Sequence, residues 1–187
     1  MQKSLKILFF HNTLPEYRIG WFRNLAQNAD VQFVFTNEQL NKKEYGFTIE
    51  YEKIKDLKCK FLLDGKQGIK DLKQIMGDSM QYDFVELPPI DSLREVIYSA
   101  YIVYVCKKKN IKIGYFWEKW EAPWEKQPLK RRVKNLILRV IPGLIYKRAD
   151  VIFSVGRKNR EYFISNGVKE KKIVWIPDVS ETPDCDY

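Results

Sequence analysis

Leu5-Lys6-Ile7-Leu8-Phe9-Phe10 runs straight into His11-Asn12-Thr13-Leu14-Pro15-Glu16-Tyr17-Arg18, and that junction decides the fold. The apolar run is too short for an ordinary helix and too uniformly apolar for a strand with one wet face. Past Pro15, the segment Arg18–Gln27 places Ile19, Phe22, Leu25 and Ala26 on one helical face. A buried strand therefore feeds an amphipathic helix, and the pattern recurs along the chain. Further strands are predicted at Val31–Thr36, Lys60–Leu63, Asp83–Glu86, Lys112–Phe116, Val151–Val155 and Ile173–Ile176. Helices are predicted at Ile69–Met76 and Ser92–Lys109, the second ending in a lysine run that suits a helix C-terminus. Apolar strands joined by helical crossovers require a parallel sheet covered on both faces, which is a doubly wound, Rossmann-like α/β domain of three layers. Residues 37–60, with mixed charge, Gly46 and weak alternation in Phe47–Tyr51, suggest an irregular excursion or a small extra hairpin.

Composition narrows the classes. The 187 residues are 45% hydrophobic and 30% charged, enough for one domain with a substantial core and incompatible with wholesale disorder. Lys and Arg exceed Asp and Glu by 33 to 24, and the net charge of +9 points to an anionic partner: phosphate, nucleic acid or acidic lipid. Cys59, Cys106 and Cys185 are far apart and form no CxxC pair, so neither a disulfide framework nor a zinc site is indicated, and a reducing cytoplasm fits. No metal-ligand cluster is visible. No export signal opens the chain, and no apolar stretch reaches the ~18 residues of a membrane span. Any membrane contact is expected to be peripheral. After Pro177 the chain turns acidic and turn-forming, as a linker or frayed end does.

In an open parallel sheet, ligands collect beyond the carboxyl ends of the strands. The first such place holds the only histidine, His11, with Asn12, Tyr17 and Arg18 at the start of a helix. His11 and Asn12 either cap the turn or touch a ligand, and no GxGxxG fingerprint supports a dinucleotide there. The second place is Trp117-Glu118-Lys119-Trp120-Glu121-Ala122-Pro123-Trp124. Trp117 and Trp120 offer faces for sugar rings or lipid edges, and Glu118, nearest the strand end, either orients a hydroxyl or pairs with a neighbouring cation.

From Lys126 to Arg148 eight cations and no acid interleave with apolar residues at helical spacing, with a break at Pro142-Gly143. Lys130, Arg131, Arg132, Lys134 and Arg139 form a basic face that is either solvated or laid on anionic lipid. Gly156 follows the next strand and opens a helix whose first turns carry Arg157, Lys158 and Arg160, a charged face that is either turned to solvent or reached by an anion at the helix start. A nucleic-acid role is disfavoured, since no binding module is present and the aromatics do not alternate with the cations.

Three stretches carry a family likeness. Lys6-Ile7-Leu8-Phe9-Phe10-His11-Asn12 with Pro15 to Phe22 matches a first strand and a P-x-Y-R-x-x-x-F helix. Tyr146 to Ile152, then Val155-Gly156 and Arg160 to Phe163, match a second motif, and Gly167-Val168 with Lys172-Ile173 and Ile176-Pro177-Asp178 a third. Together they resemble the N-terminal half of GT-B glycosyltransferases, in particular the family 4 retaining enzymes that build bacterial surface polysaccharides. The chain departs from that pattern in lacking a glycine pair in the first loop and in carrying Asp178 where Asn is frequent.

The resemblance implies that residues 1–177 are an acceptor-binding Rossmann-like domain and 178–187 the start of a linker. The donor-gripping domain of the family follows that point and is not contained in these residues. No cofactor is implied, because a nucleotide-sugar serves as co-substrate. The implied acceptor is lipid-linked or a surface polysaccharide, and the implied location is the inner face of the cell membrane. Glu118 or His11 would contact the acceptor hydroxyl as the catalytic pair, with Asn12, Tyr17, Arg18, Trp117 and Trp120 holding the acceptor. Gly156, Arg157 and Lys158 would face the cleft from the other side. The chain alone is expected to be inactive, and the alternative is a non-catalytic membrane-docking subunit that recruits a separate donor-binding chain.

Overall fold

The computed structural model describes residues 4–37, 51–90, 92–118 and 143–176. The chain comprises two compact units, which meet in sequence at Pro88 and Pro89.

The first unit opens with β1 (Lys6–His11), a short 3-10 turn (Glu16–Arg18) and α1 (Ile19–Asn28), followed by β2 (Asp30–Phe35). After a second 3-10 turn at Tyr51–Ile54 come β3 (Cys59–Phe61), α2 (Gly65–Gly77) and β4 (Phe84–Leu87). The strands lie in the order β3-β2-β1-β4 and every pairing is parallel. Central β1 is buried on both faces from Ile7 to His11, as its unbroken apolar run requires. Phe22 of α1 is fully buried in edge contact with Phe9, Phe33 and Phe35, which joins the helix to β1 and β2. The chain moves outward from β1 to β2 and β3, then returns to the other side of β1 as β4. That reversal puts a topological switch point at the carboxyl ends of β1 and β4.

The second unit begins with α3 (Leu93–Lys109) and β5 (Lys112–Phe116), continues to β6 (Val151–Ser154) and α4 (Arg157–Ser165), and ends in β7 (Ile173–Trp175). The order is β5-β6-β7, again parallel. Asn110 terminates α3 in the left-handed conformation (φ 57°), which asparagine tolerates better than most residues. Asp150 fixes the entry to β6: its carboxylate accepts from the Ile113 N–H at 3.0 Å and pairs with Lys107 at 3.2 Å. Tyr115, Tyr146 and Phe163 are fully buried and meet in ring contacts that hold β5, β6's approach and α4 together.

All seven predicted strands form, each within about two residues of its expected bounds. Helix α2 starts four residues earlier than the apolar pattern at Ile69, because Asp64 takes the N-cap position and a polar first turn carries no periodicity. In the basic amphipathic stretch, residues 143–146 are helical beyond the predicted Pro142-Gly143 break. Lys130, Arg131, Arg132, Lys134 and Arg139 lie outside the described residues, as do Trp120, most of 37–60 and the tail 178–187. No described helix is long and apolar enough to cross a membrane.

Candidate functional site

At the switch point, β1 delivers His11 as its last residue, paired in register with Phe35. The ladder continues beyond the strand ends: Thr36 N–H donates to the His11 carbonyl at 2.9 Å and Asn37 N–H to that of Asn12 at 2.7 Å. Asn12 closes the turn by accepting the Thr13 N–H on Oδ1 at 2.9 Å. Pro15 then starts the 3-10 turn by accepting the Arg18 N–H at 3.0 Å, and Arg18 is left pointing inward.

His11 and Arg18 are both buried, 7% and 8% exposed. The imidazole Nδ1 lies 2.7 Å from the Thr13 carbonyl oxygen, which accepts only, so Nδ1 carries the proton and Nε2 is the acceptor. Arg18 Nη1 donates to Nε2 at 3.4 Å. Burial and then the Arg18 charge drive the His11 pKa from 6.5 down to about 3, against the opposing Thr13 carbonyl bond. His11 is therefore neutral at physiological pH, its one lone pair directed at a guanidinium. Its ring stacks on Phe9 and meets Phe22 edge-on, so its orientation is fixed from the core side. Tyr17 is half-exposed and lies under the Arg18 guanidinium, 5.5 Å from its ring centroid. Beside it Glu16 pairs with Lys53.

Four residues singled out from sequence, His11, Asn12, Tyr17 and Arg18, thus share one loop. Sequence reasoning did not single out Thr13 or Thr36, both buried at the same strand ends, or Glu86, 1% exposed on β4 opposite Phe9. The signal for Glu86 was available, since a carboxylate interrupts the otherwise apolar Phe84-Val85-Glu86-Leu87.

The second unit presents a different surface. Trp117 follows β5 and is buried, in edge contact with Tyr115 and Tyr162. Its carbonyl accepts from Asn159 Nδ2 at 2.7 Å, which ties the end of β5 to α4. The Trp117 indole therefore serves packing on at least two sides, while Glu118, the next residue, is exposed. Asn159 was not predicted; it sits in a run of cations that reads as a solvated helix start.

After β6, Ser154 Oγ donates to the Gly156 carbonyl at 3.1 Å, and Arg160 N–H donates to the same oxygen at 3.0 Å to open α4. Gly156 has extended backbone (φ 177°), and a Cβ there would meet nothing within 4 Å. No close packing of the chain therefore requires glycine at this position. Arg157 and Lys158 are exposed, and Arg157 Nε donates to Glu161 one turn on at 2.8 Å.

Among the described residues, two thiols lie outside these loops. Burial pushes the thiols of Cys59 and Cys106 up to about 11 and 12, which keeps both protonated. Among the described residues no three His, Cys, Asp or Glu are placed to hold a metal ion.

No family model matches the chain, and no curated protein matches its sequence. Solved structures do match in fold. The lipopolysaccharide outer core galactosyltransferase WaaB, in its apo form, aligns with 98% of this chain and 50% of its own at a TM-score of 0.55 and 16% identity. HepE from Anabaena in complex with UDP-glucose aligns over 92% of this chain and 43% of its own, at a TM-score of 0.60 and 11% identity. UDP-N-acetylglucosamine 2-epimerase from Rickettsia bellii aligns over 92% and 44%, at 0.54 and 16%. The chain is therefore an α/β, Rossmann-like domain of the kind found in GT-B proteins. It spans about half the length of the structures it matches.

Proposed function

We propose that this chain is the acceptor-binding N-terminal domain of a retaining, family 4-like glycosyltransferase. The reaction moves a sugar from a nucleotide-sugar to a lipid-linked or surface-polysaccharide acceptor at the inner face of the membrane. A second Rossmann-like half, in the same chain or a partner, grips the donor. The observation that carries the reading is the His11–Arg18 loop at the switch point of the first unit, where a neutral imidazole holds a buried guanidinium at the end of β1. A fixed cation at that position suits a ligand with phosphate or many hydroxyls. The fold shared with WaaB and with HepE, whose structure contains UDP-glucose, supports sugar-nucleotide chemistry.

Proton transfer by His11 would require Arg18 to leave its lone pair, so His11 acts by positioning Arg18. Glu118, exposed after β5, is then the candidate to hold the acceptor hydroxyl. Asn12, Tyr17, Trp117 and Trp120 are proposed as acceptor contacts, the two tryptophans on the family likeness alone. Gly156, Arg157 and Lys158 offer an open, cationic helix start to a phosphate. The span of about half a neighbour's length equally fits a docking subunit that recruits a donor-binding chain.

The test is transfer of labelled sugar from UDP-glucose and other nucleotide-sugars to a bacterial lipid extract, by this chain alone and by the protein with its donor-binding half. Transfer is expected only with both halves present, and turnover by the 187 residues alone would overturn the division of labour. Glu118→Gln and His11→Ala in the complete protein should each lower kcat/KM by at least tenfold. Changes within about twofold would remove both from the site, because lost catalytic contacts normally have far larger effects.

A further inference from the structure

Helix α3 is apolar on two faces, and only one of them is covered. Val96, Ile102, Val103 and Cys106 are buried, whereas Leu93, Ile97 and Tyr104 are 67%, 52% and 63% exposed. Residues 93, 97, 100 and 104 recur at helical spacing, so they form one stripe along a helix about 25 Å long. A soluble surface helix normally turns charge outward on that side, and a contiguous apolar strip marks a contact surface. At its C-terminal end the stripe opens into a groove of about 470 Å³ lined by Ala100, Val103, Tyr104, Leu144, Ile145 and cations. Leu144 is itself 58% exposed.

The cations decide the occupant. Lys107, Lys108 and Arg148 line the groove; Lys107 is engaged by Asp150, while Lys108 and Arg148 have no carboxylate partner among the described residues. An apolar strip with an uncompensated basic end finds no charge complement in a second copy of itself and complements an anionic amphiphile. We infer that α3 and residues 144–148 form a docking face for an anionic lipid bilayer. Leu93, Ile97, Tyr104 and Leu144 enter the interface, and Lys108 and Arg148 meet lipid phosphates. Tyrosine suits that boundary, with an apolar ring and a polar tip. The inference deepens the membrane-side reading of the acceptor domain, and it names residues other than the Lys130–Arg139 cations.

Vesicle co-sedimentation, with no sugar nucleotide present, tests it independently of glycosyl transfer. The probes are vesicles of phosphatidylcholine alone or with about one third phosphatidylglycerol, at near-physiological salt. The chain is expected to bind only the anionic vesicles. Lys108→Glu with Arg148→Glu should weaken binding by at least tenfold, since each surface cation is worth roughly a fivefold change in partitioning. Leu144→Ser with Tyr104→Ser should also weaken it, by about tenfold, and this loss should persist at high salt, where charge is screened. All four positions are exposed, and circular dichroism confirms that the variants fold. Wild-type binding by both variant pairs overturns the inference. Loss only when Lys130, Arg131, Arg132 and Lys134 become serine overturns this surface while leaving the membrane reading intact. A concentration-dependent dimer dispersed by Leu144→Ser with Tyr104→Ser overturns it in favour of self-association.

Discussion

The loop after β1 and the loop after β6 have the same local plan, a parallel strand ending in a short turn that opens a helix, yet their chemistry is opposite. In the first, the polar groups are turned in: His11 and Arg18 are buried and bonded to each other, to Thr13 and against Phe9 and Phe22. In the second, Gly156 faces open space and Arg157 and Lys158 are in solvent. A buried polar network keeps one geometry, because any displaced member loses hydrogen bonds that water cannot replace. A solvated one adapts to whatever arrives and contributes little to the fold. The molecule thus separates a buried, bonded polar loop from an accessible one, although sequence presents both as charged loops.

The largest test of that contrast is Phe22→Ala. Phe22 is fully buried and touches Phe9, His11, Phe33 and Phe35, so its removal leaves a cavity under the imidazole as well as in the core. A loss of about 3–5 kcal/mol is expected in denaturant unfolding. A loss under about 1 kcal/mol would mean that the first loop is not held from the core side at all.

How much of this was legible beforehand depends on which force set the outcome. Strand positions followed from apolar runs such as Ile7–Phe10 and Val151–Phe153, because burial on both faces of a parallel sheet leaves a signal in residue type. The end of α3 at Lys109 was legible too, from its lysine run. The direction of side chains was not. Arg18 and His11 read as candidates to face a ligand, and nothing in the spacing reveals that one satisfies the other's lone pair. Asn159 read as part of a charged helix face, whereas it is buried and anchors the Trp117 carbonyl across 42 residues of sequence. Hydrogen bonds between distant segments leave no periodic trace, so polar sites are harder to read than cores.

The second test sharpens the contrast through pH. Unfolded, His11 takes up a proton near its ordinary 6.5; folded, it does so only at about 3. Its contribution to stability is complete above the unfolded value and declines as pH falls from there toward 3, by at most about 1.4 kcal/mol per pH unit. Imidazole NMR should show a neutral ring with the proton on Nδ1 down to pH ~4. Arg18→Met should raise the His11 pKa, yet leave it below the ordinary value, because burial is the leading cause and remains. A ring titrating near 6.5 in the native protein would show the loop to be solvated like its counterpart.

The smallest effect on stability is expected at Arg157. Its side chain is 91% exposed and its Glu161 partner 56% exposed, so the ion pair is screened and its removal by Arg157→Ala should leave the thermal midpoint unchanged within error. Binding is where this residue should register. A phosphate approaching Gly156 would meet the start of α4 and the Arg157 guanidinium together, and exchanging Glu161 for a phosphate involves no unburying. Arg157→Ala is therefore expected to weaken binding of inorganic phosphate about tenfold, as loss of a charge-assisted bond does. The outcome separates two uses of charge on one helix turn. Unchanged affinity alongside an unchanged midpoint would make the Arg157–Glu161 pair a solvated surface feature and remove it from the proposed phosphate site.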